Sequence, residues 1–233
     1  MTNKQIREQS RLDLQGKWLK LALFTLITFA ITIAARYFTD DFNFHLLISL
    51  AINAIVGTFY KAFYINFYKT KEIDLKKGFP NIKVFLRYFG LYLLLCAVLI
   101  IITLIIFFLS ALGFIGVAMA IDFNNLFNLG NLGNILPSLI IIYIGIIIIF
   151  IFIVLFYFAA PFLVVQGNGV FKSIGDSIRL MRGKKWRLFK LQLSFIGWGI
   201  LSVLSLGVGL LWLVPYYCES IITFYFKVVM EEE

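Results

Sequence analysis

Between Leu91 and Ser110, and again between Pro137 and Val165, the chain runs without a single charged residue. Hydrocarbon holds no water to satisfy backbone N–H and C=O groups, so only helices or closed barrels can cross a bilayer. Barrel strands alternate lipid-facing with lumen-facing residues. These runs do not alternate, so they specify helices. Composition agrees, at 61% hydrophobic and 14% charged residues with a mean hydropathy of +0.95. Soluble domains carry about half apolar and about a quarter charged residues. The expected fold class is an all-α integral membrane protein, forming a single membrane domain over 1–233.

A span needs about 20 mostly apolar residues to cross about 30 Å. Four segments qualify directly, at 18–36, 45–67, 84–110 and 137–165. The last apolar stretch, Leu188 to Met230, would be about 60 Å long as one helix and must turn. Ser205-Leu206-Gly207-Val208-Gly209 is the natural place, because glycine tolerates helix-breaking dihedrals. Two further spans follow, 188–204 and 208–229, for six in all. The first apolar run, Leu21 to Ala35, has the length of a signal-peptide core. Arg36 and Tyr37 follow it without a small-residue cleavage motif, so it is read as an uncleaved span.

Lys and Arg in short loops stay on the cytoplasmic side. With both ends inside, the six-span arrangement places all but one, Arg36, of the 21 basic residues inside. Asp40, Asp41 and Asp122 fall outside. The net charge of +9 is therefore explained by topology, and a nucleic-acid partner is not expected. Trp18 and Trp186 stand where interfacial anchors belong.

Three inner segments, 1–17, 69–83 and 168–187, are basic and partly amphipathic, and read as short interfacial helices. The third is the clearest. Phe171, Ile174, Ile178 and Met181 share one face, Lys172, Asp176, Arg179 and Arg182 point elsewhere, and Gly183 fits a C-terminal cap. Arg182-Gly183-Lys184-Lys185-Trp186 echoes Gln15-Gly16-Lys17-Trp18. Either the chain repeats a unit of interfacial helix, outward helix and inward helix, or the positive-inside rule alone makes successive hairpins alike. Asn125, Asn128, Asn131 and Asn134 recur at a spacing of three, which suits neither helix nor strand, so an irregular outer loop is expected there.

The run RGKKWRLFKLQLSFIGWGILSVLSLGVGLLWLVPYY from Arg182 to Tyr217, preceded by Ser177-Ile178-Arg179-Leu180-Met181, resembles a family signature. The family is domain-of-unknown-function family 975, small multi-pass membrane proteins of Gram-positive bacteria. Ile6-Arg7 through Gly16-Lys17-Trp18-Leu19-Lys20 resembles its N-terminal entry. Lys71-Glu72-Ile73-Asp74-Leu75 with Gly78-Phe79 resembles its second inner loop. Between about Leu112 and Ile149 the chain departs from the pattern, with a longer Asn-rich insert in place of a short Pro-Gly turn. The resemblance implies a bacterial cytoplasmic membrane location and brings no reaction, substrate or catalytic residue.

An ionisable group near the bilayer centre costs at least about 2.5 kcal/mol on insertion scales unless paired or hydrated. Glu219 lies about 20 Å from the outer end of the sixth span and Lys61 about 22 Å into the second. Their matched depths suggest a pair across the bundle, with Thr223 and Lys227 continuing one helix face and Asn53 and Gly57 the other. Such a pair serves either as a polar pathway with a proton-titratable carboxylate or as a fixed structural bridge. Tyr60, Tyr64 and Tyr68 form a stripe suited to interfacial anchoring or to lining a path. Pro215 should kink the sixth span near Glu219. Gly197, Gly199, Ser194 and Ser202 permit close helix contact.

His45 is the only histidine. Cys96 and Cys218 each stand alone in apolar runs, and no metal-ligand or nucleophile motif is present. No cofactor, metal or enzymatic activity is expected. The expected partners are the bilayer, with anionic lipid headgroups at its cytoplasmic face, and a membrane-protein partner or further copies of the chain. The function expected first is a non-enzymatic accessory or regulatory component of a membrane assembly, export or envelope-stress related. The alternative is a small transporter or channel for peptide, lipid or ion with Glu219 in the pathway.

Overall fold

The computed structural model describes the backbone of residues 1–34, 42–120 and 129–230, and the side chains of 1–34, 48–112, 140 and 143–230. Among these residues every regular element is helical. The α-helices are α1 (Asn3–Leu14), α2 (Trp18–Ala34), α3 (Phe42–Thr70), α4 (Ile82–Ala120), α5 (Leu129–Phe156), α6 (Ala160–Val165), α7 (Val170–Leu180), α8 (Lys185–Leu204) and α9 (Leu210–Phe224). A 3-10 turn at Leu75–Gly78 precedes α4, and a π turn at Tyr225–Met230 continues α9. Among the described residues four stretches are long and apolar enough to cross a membrane: Ile48–Thr70, Ile82–Leu112, Tyr143–Val165 and Lys185–Leu204. Helices α1 and α2 pass that test only as a pair, bent by 93°. Arg36, Tyr37, Asp40, Asp41, Asp122, Asn125 and Asn128 lie outside the described residues, as does the side chain of His45.

The chain divides into two compact units, Met1–Leu91 with Leu155–Glu233, and Tyr92–Val154. In the first, α9 is the hub and packs against α1, α2, α3 and α8. Its second half is buried from Glu219 through Tyr225, and again at Val228 and Val229. Pro215 sits inside α9, where its missing N–H opens the hydrogen-bond ladder. Three residues of the π turn that follows, Tyr225, Val228 and Val229, are fully buried.

Helix α1 begins with a capping box. The Gln5 N–H donates to Thr2 Oγ1 at 3.3 Å and the Thr2 N–H to Gln5 Oε1 at 2.7 Å, satisfying two orphan donors. It ends at Gly16, whose φ of +75° is left-handed backbone. Ile6, Ser10 and Leu14, at helical spacing, are fully buried. Segment 1–17 therefore lays its apolar face on α9, where the sequence suggested a helix resting on the membrane surface. The bend at Gly16 folds α1 back, and the small Ser10 allows close approach. Asn3 Nδ2 donates to Arg187 O at 2.8 Å and fixes the start of α1 to α8.

Segment 69–83 forms one 3-10 turn in place of an amphipathic helix. Asp74 caps it by accepting the Lys76 N–H at 3.0 Å. A Cβ on Gly78 would fall 2.6 Å from the Phe59 ring, and Phe79 meets the same ring at 4.7 Å. Phe59 belongs to an aromatic layer with Phe24, Tyr60 and Phe63 that joins α2 to α3.

The stretch expected as one span at 137–165 breaks at residues 157–159, ahead of Pro161 in the first turn of α6. Ser177 of α7 mends the break. Its hydroxyl donates to Phe156 O at 2.8 Å and accepts the Ala159 N–H at 3.1 Å. Helix α7 thus buries Ser173, Ser177 and Leu180, whereas Phe171 is 80% exposed and Ile178 40%. The α8–α9 turn falls where the paired glycines place it. Leu206 and Gly207 have φ of 54° and 86°, and a Cβ on Gly209 would sit 2.8 Å from the Ser202 backbone.

The second unit comprises α4 from Tyr92 and α5 as far as Val154. Its described side chains are mostly Ile, Leu, Phe and Val, none is charged, and most are exposed. Thr103 and Ser110 turn their hydroxyls back to Leu99 O and Phe107 O, each at 2.8 Å, which satisfies them within the helix as hydrocarbon requires. Helix α5 starts at Leu129, so Asn131 and Asn134 lie in a helix and not in an irregular loop.

Candidate functional site

Glu219 is fully buried on α9 and faces Lys71, whose Nζ lies 3.5 Å from Glu219 Oε1 and 2.5 Å from Asp13 Oδ2. Side-chain exposure is 0% at Glu219, 9% at Asp13 and 39% at Lys71. One ammonium thus serves two carboxylates carried by α1 and α9. Among the described residues neither Glu219 oxygen accepts a hydrogen bond, and the hydroxyls of neighbouring Ser220 and of Tyr64 are likewise buried without one. A buried carboxylate without hydrogen bonds depends on its ion pair to offset desolvation, so Lys71 is the residue on which the cluster turns.

Local structure explains how Lys71 reaches it. Lys71 follows the last residue of α3 with a φ of 57°, and its N–H closes the helix on Phe67 O at 2.7 Å. Glycine usually occupies such a position, and an L-residue there costs about 1–2 kcal/mol. The strain turns the lysine back over Tyr68, with Nζ 4.4 Å from the ring centroid, and toward α1 and α9. Gln9 Nε2 donates to Asp13 Oδ1 at 3.0 Å and orients the second carboxylate. One turn beyond Glu219, Thr223 meets Ser10 of α1 through their hydroxyls at 3.4 Å.

Lys61, expected opposite Glu219, is committed elsewhere. Its Nζ donates to Tyr88 Oη at 3.0 Å and lies 5.9 Å from the Phe162 ring centroid. Gly57 makes room for Tyr88, because a Cβ there would fall 2.8 Å from Oη. Asn53 is exposed on α3 and lies outside the cluster. Of the four polar residues selected from sequence, the structure joins Glu219 and Thr223 at one helix interface and separates Lys61 and Asn53 from them. Asp13 and Lys71 were missed. The available signal is the mixed charge of the Lys71-Glu72-Ile73-Asp74 loop and of α1, both of which the sequence reading used for orientation or resemblance and not for pairing.

The tyrosine stripe packs inward. Tyr60 Oη pairs with Thr28 Oγ1 at 2.6 Å, Tyr64 is buried, and Tyr68 stacks on Phe226 at 4.6 Å. The two tryptophans differ as well. Trp18 rests edge-on against Tyr216 of α9 at 6.3 Å, whereas Trp186 is largely exposed. Among the described residues no three His, Cys, Asp or Glu side chains converge on a metal position.

These features define a helical protein of membrane-spanning character, organised around a buried carboxylate–lysine–carboxylate cluster. The chain belongs to the family described as protein of unknown function (DUF975), whose model matches residues 1–232. No curated protein and no solved structure matches it.

Proposed function

We propose that the chain is a six-span protein of the bacterial cytoplasmic membrane, both termini inside, acting as a non-enzymatic accessory or regulatory component of a larger membrane assembly. Under this reading α2, α3, α4, α5 with α6, α8, and α9 with its π turn are the spans. The Asp13–Lys71–Glu219 cluster is then a clasp that holds α1 against the inner half of α9. One observation carries the reading: Glu219 is fully buried on α9, and its charge is met by Lys71, which stands just past the end of α3 and also holds Asp13 of α1. That geometry suits a fixed joint better than a conduit. The described side chains of the unit Tyr92–Val154, none of them charged, suit lateral association inside a bilayer, in an export or envelope-stress assembly.

The test is capture of the tagged full chain from its native membranes in mild detergent, with bound proteins identified by mass spectrometry. A stoichiometric membrane protein that stays bound supports the accessory reading, and recovery of the chain alone or with copies of itself counts against it.

A second reading, a small transporter or channel, is favoured by the unbonded oxygens at Glu219, Ser220 and Tyr64. Buried polar groups of this kind accept water or an ion, and the π turn directly after them is a feature common at functional sites. It predicts a proton-dependent flux in reconstituted vesicles that disappears in Glu219→Gln.

A further inference from the structure

Where α5 breaks, a second polar feature lies apart from the Glu219 cluster. Phe156, Gly175, Ile178, Arg179, Arg182 and Lys185 line an open groove of about 410 Å³. We propose that this groove seats one anionic phospholipid, with Arg182 and Lys185 on its phosphate and Phe156 and Ile178 against the start of its acyl chains. The inference rests on the reading of Tyr143–Val165 and Lys185–Leu204 as spans, and is independent of the role of Glu219.

Five observations carry it. The groove is built on fixed backbone, because Ser177 bonds both sides of the α5–α6 break and so ties Phe156 to α7. Its charge is positive: Asp176 pairs with Arg179 at 3.4 Å, and Arg182 and Lys185 add two further cations. Lys185 Nζ stands 3.0 Å from the centroid of the Phe156 ring, which brings a cation and an apolar wall to the same point. Phe171, Ile178 and Trp186 are exposed beside it, an arrangement that water disfavours and acyl chains favour.

The fifth observation is Gly175. Glycine is the poorest helix former after proline, yet Gly175 sits in the middle of α7. It is exposed, its φ is not left-handed, and a Cβ there would meet nothing within 4 Å. Neither packing nor backbone geometry calls for glycine. Open space above bare backbone is what a headgroup lying across the helix requires. A free phosphate would use the cations but not Phe156 and Ile178, so the apolar wall selects the lipid.

The experiment measures phospholipid retained by the purified full chain in mild detergent, by native mass spectrometry, with phosphatidylglycerol and phosphatidylcholine as probes. The wild type is expected to hold one phosphatidylglycerol about tenfold more tightly than phosphatidylcholine, since cations at a membrane surface attract anionic lipid individually. Arg182→Gln/Lys185→Gln and Gly175→Leu should each lose that preference while melting at or above the wild-type temperature. Gly175→Leu keeps every charge and fills only the groove. Lys76→Gln/Lys77→Gln, which removes two exposed cations elsewhere, should leave binding unchanged, and millimolar inorganic phosphate should not displace the lipid. Retained preference in Gly175→Leu, an equal loss in the Lys76/Lys77 variant, or displacement by phosphate overturns the proposal. Failure of the span reading shows separately, as a chain that stays in solution without detergent.

Discussion

The segments Gln15-Gly16-Lys17-Trp18 and Arg182-Gly183-Lys184-Lys185-Trp186 read alike, and both glycines take the same left-handed conformation, with φ of 75° and 78°. Each joins a short amphipathic helix to a longer apolar one. The short helices are then used in opposite ways. Helix α1 buries Ile6, Ser10 and Leu14 on α9, whereas α7 buries its serines against the α5–α6 break and exposes Phe171 and Ile178. Even the tryptophans follow, with Trp18 against Tyr216 and Trp186 outward. Local sequence therefore sets the turn, and the neighbour that each amphipathic face finds sets its purpose.

The contrast is open to direct attack, and the largest effect belongs to the α1 side. Lys71→Gln leaves two carboxylates without their shared cation; breaking a fully buried pair costs about 3–5 kcal/mol, and the partial exposure of Lys71 screens part of that. Thermal unfolding in detergent should show a large loss of stability, recovered in part by the double variant Lys71→Gln/Glu219→Gln.

Next comes a pair of apolar truncations. Leu14→Ala opens a cavity at a fully buried position and should cost about 2–5 kcal/mol. Phe171→Ala, at the outward face of α7, should fall within about 0.5 kcal/mol by the same unfolding measurement. Equal losses would show that the two helices are packed alike. Ser177→Ala removes both hydrogen bonds that mend the α5–α6 break and should cost about 1–3 kcal/mol, with faster amide exchange confined to residues 157–160. Most symmetrical, Gly16→Ala and Gly183→Ala should each cost about 1–2 kcal/mol, because both force a Cβ into left-handed backbone. A large difference between them would mean that the turns are not equivalent.

The helices and their turns were legible because they depend on local chemistry. Long apolar runs, Gly16, Gly183 and the 205–209 turn each act within a few residues of themselves. The cluster was half legible. Rise per residue gave Glu219 and Lys61 equal depth, but depth along a helix says nothing of rotation about its axis, and Lys61 turns to Tyr88. Lys71 stands beyond the end of α3 and reaches back only because its φ is 57°. Asp13 reads as part of a surface helix, since Gly16 marks a turn but not its 93° angle, which carries α1 to α9. The break before Pro161 was hidden by apolar residues on both sides, and its partner, Ser177, lies in another helix.

The central claim is that Glu219 belongs to a closed clasp and not to a path. Proton flux into vesicles reconstituted with the wild-type chain, measured beside Glu219→Gln, tests it most directly. The account predicts the same background flux for both proteins, with Glu219→Gln altered in stability alone. A wild-type proton flux well above that of empty vesicles, abolished in a folded Glu219→Gln protein, would contradict it.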